Sequence, residues 1–159
     1  MRRSGRGRVN IAGVVCFRPG HRPHLFYTLH VYHGRKKEPK SFAWTDYRDL
    51  IIAVHRQLGT PLVWLWDNVN VHLVQELFDF AQENKTWLRV VQLPSYAPEL
   101  NPQEGIWSLL RRRLADFAAA DLTHLTRVVK RHLKKIQYRP DLIDGCLAQT
   151  GLVIEAQPP

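Results

Sequence analysis

An α/β fold containing a parallel strand pair is what this sequence predicts, and three observations carry that expectation. Two apolar runs, Pro61 to Asp67 and Trp87 to Leu93, flank a segment of helical periodicity, and a second helical segment follows from Asn101. Strand, helix, strand, helix in that order implies right-handed crossovers and parallel pairing. The first run is continuous rather than alternating, which suits a strand covered on both faces.

The elements follow in chain order. Val9 to Phe17 and Leu25 to Tyr32 are rich in β-branched and aromatic residues and are separated by Pro19-Gly20, so they read as an antiparallel hairpin. Gly34 to Lys40 is a basic loop. Thr45 is placed to cap a helix whose apolar positions Tyr47, Leu50, Ile51, Val54 and Leu58 keep helical spacing, with Gly59 and Pro61 ending it. After the Pro61 to Asp67 strand, Asn68 or Asn70 is expected to cap a helix with Val71, Val74, Leu77, Phe78 and Ala81 on one stripe. The helix from Asn101 turns Ile106, Trp107, Leu110, Leu114 and Phe117 inward. A further helix sets Leu122, Leu125, Val129, Leu133 and Ile136 against a basic face of Arg127, Lys130, Arg131, Lys134 and Lys135, read as a solvated surface. From Pro140 onward at most a short helix is expected. The division that results is a basic disordered arm over residues 1–8, one α/β domain over 9–145 and a tail over 146–159.

Composition sets outer limits. A chain of 159 residues suits one domain. With 23 Lys and Arg against 14 Asp and Glu, the net charge of +9 favours a polyanionic partner, nucleic acid ahead of an anionic membrane. Cys16 and Cys146 make neither a disulfide framework nor a metal-ligand spacing, which points to two buried thiols in a reduced, cytoplasmic protein. No apolar run approaches the length of a membrane span. The eight histidines show no zinc spacing.

Chemistry concentrates between Leu62 and Arg113. Ligands of open α/β sheets bind beyond the carboxyl ends of parallel strands, and Asp67 stands at such an end. A hard divalent cation needs only one or two protein carboxylates beside waters and substrate oxygens, so Asp67 and Glu104 suit Mg2+ or Mn2+. Each has a structural alternative: Asp67 as a helix cap, and Glu104 as the third helical residue of a capping box after Asn101 and Pro102. The stiff Pro94-Ser95-Tyr96-Ala97-Pro98 loop favours aiming over capping for Glu104, because it fixes where the helix begins. Trp64, Trp66 and Trp107 sit within apolar runs and read as core.

Trp66-Asp67-Asn68 with His72, followed by Leu93-Pro94-Ser95-Tyr96-Ala97-Pro98-Glu99-Leu100-Asn101-Pro102-Gln103-Glu104 and Trp107 through Arg111, resembles the second half of the catalytic domain of bacterial insertion-sequence transposases of the mariner superfamily. The resemblance runs from about Arg8 to Ala115. It implies a DDE endonuclease of ribonuclease H-like, integrase-type fold, a mixed sheet flanked by helices, performing two-metal cleavage of DNA and strand transfer. By that resemblance Asp67 is the second catalytic aspartate and Glu104 the closing glutamate. Asn68, His72 and Asn101 fall beside the metal site or near DNA, and their charge makes Arg111, Arg112, Arg113, Lys36 and Lys37 the candidate DNA-binding residues. Consecutive helical residues point about 100° apart, so only one or two of the three arginines face one duplex.

The chain also departs from the family's pattern. The family's first aspartate lies on a central strand ahead of the hairpin, whereas only a basic arm precedes Arg8, and Asp46 and Asp49 fall on a helix. A catalytic domain lacking its central strand, incomplete or inactive alone, is therefore expected. The implied partners are transposon-end and target DNA, an upstream transposase fragment and a second copy of the chain. Two other readings stay open: a non-catalytic DNA-binding remnant, and another ribonuclease H-like nuclease.

Overall fold

The computed structural model describes residues 7–67, 71–94 and 97–155, with the side chains of 71–74 outside that description. The chain divides into two compact units, residues 1–41 with 99–159, and residues 42–98. Among the described residues the strands form two separate two-stranded sheets, one in each unit.

The larger unit begins with β1 (Arg8–Cys16) and β2 (His24–Tyr32), the expected antiparallel hairpin, paired from Arg8↔Tyr32 to Cys16↔His24. Three helices pack on it: α3 (Pro102–Leu114), α4 (Leu122–Gln137) and α5 (Pro140–Gln149). Their shared core is Leu25 with Ile106, Ile136, Ile143 and Cys146, and a neighbouring cluster joins Leu110, Val129 and Leu133. The Gln137 side-chain amide donates to the Leu25 carbonyl at 2.8 Å, tying the end of α4 to β2. Helix α5 runs past the boundary expected at residue 145 and carries Cys146 into the core, because Ile143 and Cys146 recur at helical spacing. Phe117 lies beyond the end of α3 and packs edge-on against His124 at 5.0 Å.

The smaller unit holds α1 (Trp44–Leu58), β3 (Leu62–Trp66), α2 (Val71–Glu83) and β4 (Leu88–Gln92). Strands β3 and β4 pair in parallel, Leu62↔Leu88 to Trp66↔Gln92, as the strand–helix–strand order requires. The cap of α1 is Ala43 rather than Thr45. Its backbone N–H donates to the Asp46 carboxylate at 2.7 Å, so an acid in the first turn does the work of a capping hydroxyl. Gly59 ends α1 in the left-handed region at φ 62°. The expected burial of β3 on both faces is not what forms: Trp64 is buried, while Val63 is 68 % and Leu65 52 % exposed. Alternate side chains leave a strand on opposite faces, and Trp66, on the same face as Trp64, is met edge-on by Tyr47 of α1, while Trp87, in the turn before β4, packs against His55 and Phe80.

Candidate active site

Asp67 directly follows β3, at the carboxyl end of a parallel strand, and is half-buried. The fold therefore places it where the sequence predicted. Its charge reaches Tyr47, which sequence reasoning treated only as an apolar position of α1. Its ring meets Trp66 edge-on, centroids 5.0 Å apart. Burial first, then the negative charges of Asp67 and Asp46, push the Tyr47 phenol above its ordinary value, so it keeps its proton. The Trp66 indole Nε1 is buried with no partner among the described residues. Asn68 lies outside the described residues, as do the side chain of His72 and the residues Ser95 and Tyr96.

Glu104 is the third residue of α3 and half-buried. Asn101 caps that helix, its side-chain oxygen accepting from the Gln103 N–H at 3.0 Å, and Pro102 occupies the first helical position. A 3-10 turn over Pro98–Leu100 delivers the chain to the cap. The helix start is thus fixed by local chemistry, and Glu104 is fixed with it.

The unanticipated residue here is Gln103, buried at 8 % exposure with neither amide atom hydrogen-bonded among the described residues. It faces β1 at Gly13, where an added Cβ would come within 3.0 Å of Gln103 Nε2 and 2.9 Å of the Trp107 ring. A buried unpaired amide costs about 1–3 kcal/mol. Its sequence signal was only a polar residue inside an apolar helix face, one position before a candidate ligand.

Asp67 stands on the smaller unit and Glu104 on the larger. Each carboxylate by itself supplies oxygen donors of the kind a hard cation such as Mg2+ or Mn2+ takes. Among the described residues, no group of three or more His, Cys, Asp or Glu side chains is gathered at metal-binding separation.

The expected DNA contacts are all on the surface. Arg111, Arg112 and Arg113 are exposed in the last turn of α3, where cations also complement the helix dipole. Lys36 and Lys37 are exposed in the loop after β2, and Lys37 has a left-handed φ of 67°. Glu38 latches that loop, its carboxylate accepting from the backbone N–H of His33 at 2.9 Å and of Arg35 at 3.1 Å, beside the His33 ring at 2.9 Å. Desolvation opposes ionisation of Glu38, but the hydrogen bonds from the His33 ring and these N–H groups outweigh it and hold the carboxyl down at about 2.

In the smaller unit an acid stands at the carboxyl end of a parallel strand, the position at which open α/β sheets bind ligands. Residues 35–135, more than half of the chain, match the family model of the DDE superfamily endonucleases. The chain belongs to that family. No curated protein and no solved structure matches it. No helix among the described residues is long and apolar enough to cross a membrane.

Proposed function

We propose that this chain is the catalytic domain, over residues 9–145, of a mariner-type insertion-sequence DNA transposase with a ribonuclease H-like fold, in which Asp67 and Glu104 are metal-binding carboxylates. The observation that carries the reading is Asp67 at the end of β3 in a chain of the DDE endonuclease family. Asp67 and Glu104 would hold Mg2+ or Mn2+, which when bound supplies charge stabilisation for oxygens entering and leaving phosphorus. The protein's own part is positioning. The capped start of α3 aims Glu104, Tyr47 keeps its proton in the field of Asp67, and the surface cations attract the DNA backbone. Asn68 and His72 stand near the metal or the DNA in this reading, and the protein works in the cytoplasm, associated with the nucleoid.

Two carboxylates are one fewer than the family's chemistry uses. We infer that these 159 residues cleave DNA weakly or not at all by themselves, and that a strand carrying a third acid, supplied from outside them, completes the site by β-augmentation. Among the described residues the sheets have two strands each, which supports that reading because such sheets have edges able to accept a strand. The test is nicking of supercoiled DNA in Mg2+ or Mn2+, with and without a co-expressed upstream fragment. Activity is expected only with the fragment and is lost in Asp67→Asn and Glu104→Gln. Efficient metal-dependent cleavage by the 159-residue chain overturns the incompleteness. Cleavage surviving both substitutions overturns the site. A DNA-binding remnant predicts binding without cleavage under every condition, and a substrate panel of RNA–DNA hybrids and Holliday junctions separates other ribonuclease H-like nucleases.

A further inference from the structure

Helix α4 carries Arg127, Lys130, Arg131, Lys134 and Lys135 along one side, and all five are exposed. Its opposite side is consumed by the core, with Leu133 and Ile136 fully buried. No acid occurs between Leu122 and Gln137. Among the described residues none of the five cations forms an ion pair; the pairs present are His33–Glu38, Arg48–Asp49 and Arg139–Asp141. Charges of one sign held on a rigid face repel one another, and an ordinary solvated helix relieves this with interspersed acids. This face does not.

Two features extend the stripe. At its amino end a cleft of about 370 Å³ is lined by His33, Thr123, Thr126, Arg127 and Lys130 among others, and His33 leads directly into the loop bearing Lys36 and Lys37. Farther along, His132 lies among the cations: burial first, then the charges of Arg113, Lys135 and Arg131, lower its pKa. Arg113 of α3 thus adds to the same positive field.

The chemistry selects the partner. From Arg127 to Lys135 the stripe runs about 12 Å at 1.5 Å per residue, the length of about three to four nucleotide steps along one strand of a duplex. No Phe, Tyr or Trp interleaves the cations to stack unpaired bases. The apolar side of α4 is buried, so none is left to enter a lipid surface. We propose that this face of α4, together with the cleft at its amino end, docks the phosphate backbone of duplex DNA and fixes how the duplex lies across the larger unit. The proposal rests on the reading of the chain as DNA-acting but not on the carboxylate site.

Fluorescence anisotropy of the full chain with a labelled random-sequence duplex, in EDTA and across a salt series, tests it. Arg127→Gln with Lys130→Gln, and separately Arg131→Gln with Lys134→Gln and Lys135→Gln, are expected to weaken binding. Each lost phosphate contact should reduce the slope of log affinity against log salt by about 1. Arg56→Gln with Lys85→Gln, which removes two exposed cations from the smaller unit, is expected to change binding little. Asp67→Asn with Glu104→Gln is expected to leave metal-free binding intact, so failure of the carboxylate site and failure of this surface give different results. Circular dichroism melting checks that the variants remain folded. Unchanged affinity in both α4 variants overturns the proposal. So does an equal loss in the Arg56 and Lys85 control, or tighter binding by the stripe of single-stranded RNA or anionic vesicles than of duplex.

Discussion

Gly105 shows how tightly a single residue is constrained. A Cβ there would lie 2.7 Å from Cys146 Sγ and 3.3 Å from Cys146 Cα, where α3 and α5 touch. Gly→Ala in a helix ordinarily gains about 1 kcal/mol in propensity, whereas overpacking a core costs about 1–3 kcal/mol. Part of the obstruction is backbone, so the clash should win, and Gly105→Ala should lower the thermal midpoint; a midpoint at or above the parent's would refute the close approach. Glu38 makes a pH-dependent prediction. Its folded carboxyl sits at about 2 against an ordinary 4.5, a depressed value, so its contribution is complete above pH 4.5 and is lost as the pH falls from there toward 2. The amide signals of His33 and Arg35 in NMR should move together across that window, and Glu38→Gln should abolish the movement. Gln103 was legible only as a helical position, because its burial depends on a group far away in sequence, here Gly13 of β1, against which its amide packs.

At the scale of elements, the hairpin, the parallel pair, α1 and the capped start of α3 were all readable, since each is encoded by local periodicity and by turn or cap residues. Helix α5 is the short helix expected from Pro140. Its worth lies in contacts with Leu25, Ile106 and Ile136 rather than in its own propensity. Ile143→Ala should therefore cost about 2–5 kcal/mol in chemical denaturation, as truncation of a fully buried aliphatic does. A loss below about 0.5 kcal/mol, the scale of a surface substitution, would reduce α5 to a tail. The exposure of Val63 and Leu65 is another feature the apolar run concealed: such a run states that a strand is suited to burial, and only packing decides which face receives it.

For the whole molecule, the +9 charge predicts self-repulsion that salt relieves. The thermal midpoint should rise between low and physiological NaCl. Mg2+ at matched ionic strength should raise it further in the parent but not in Asp67→Asn, and equal shifts in both proteins would argue against a metal at Asp67. The sequence by itself determined the α/β class, the family, the two acids and the excess of positive charge, because all of these are written in local pattern, motif and composition. The tertiary structure alone decided that the described strands form two small sheets, that Tyr47 feels the charge of Asp67, that Gln103 is buried without partners among the described residues, and that a cleft shared with His33 lies at the amino end of the α4 cations. Each of these depends on residues distant in the chain, whose meeting no local signal records.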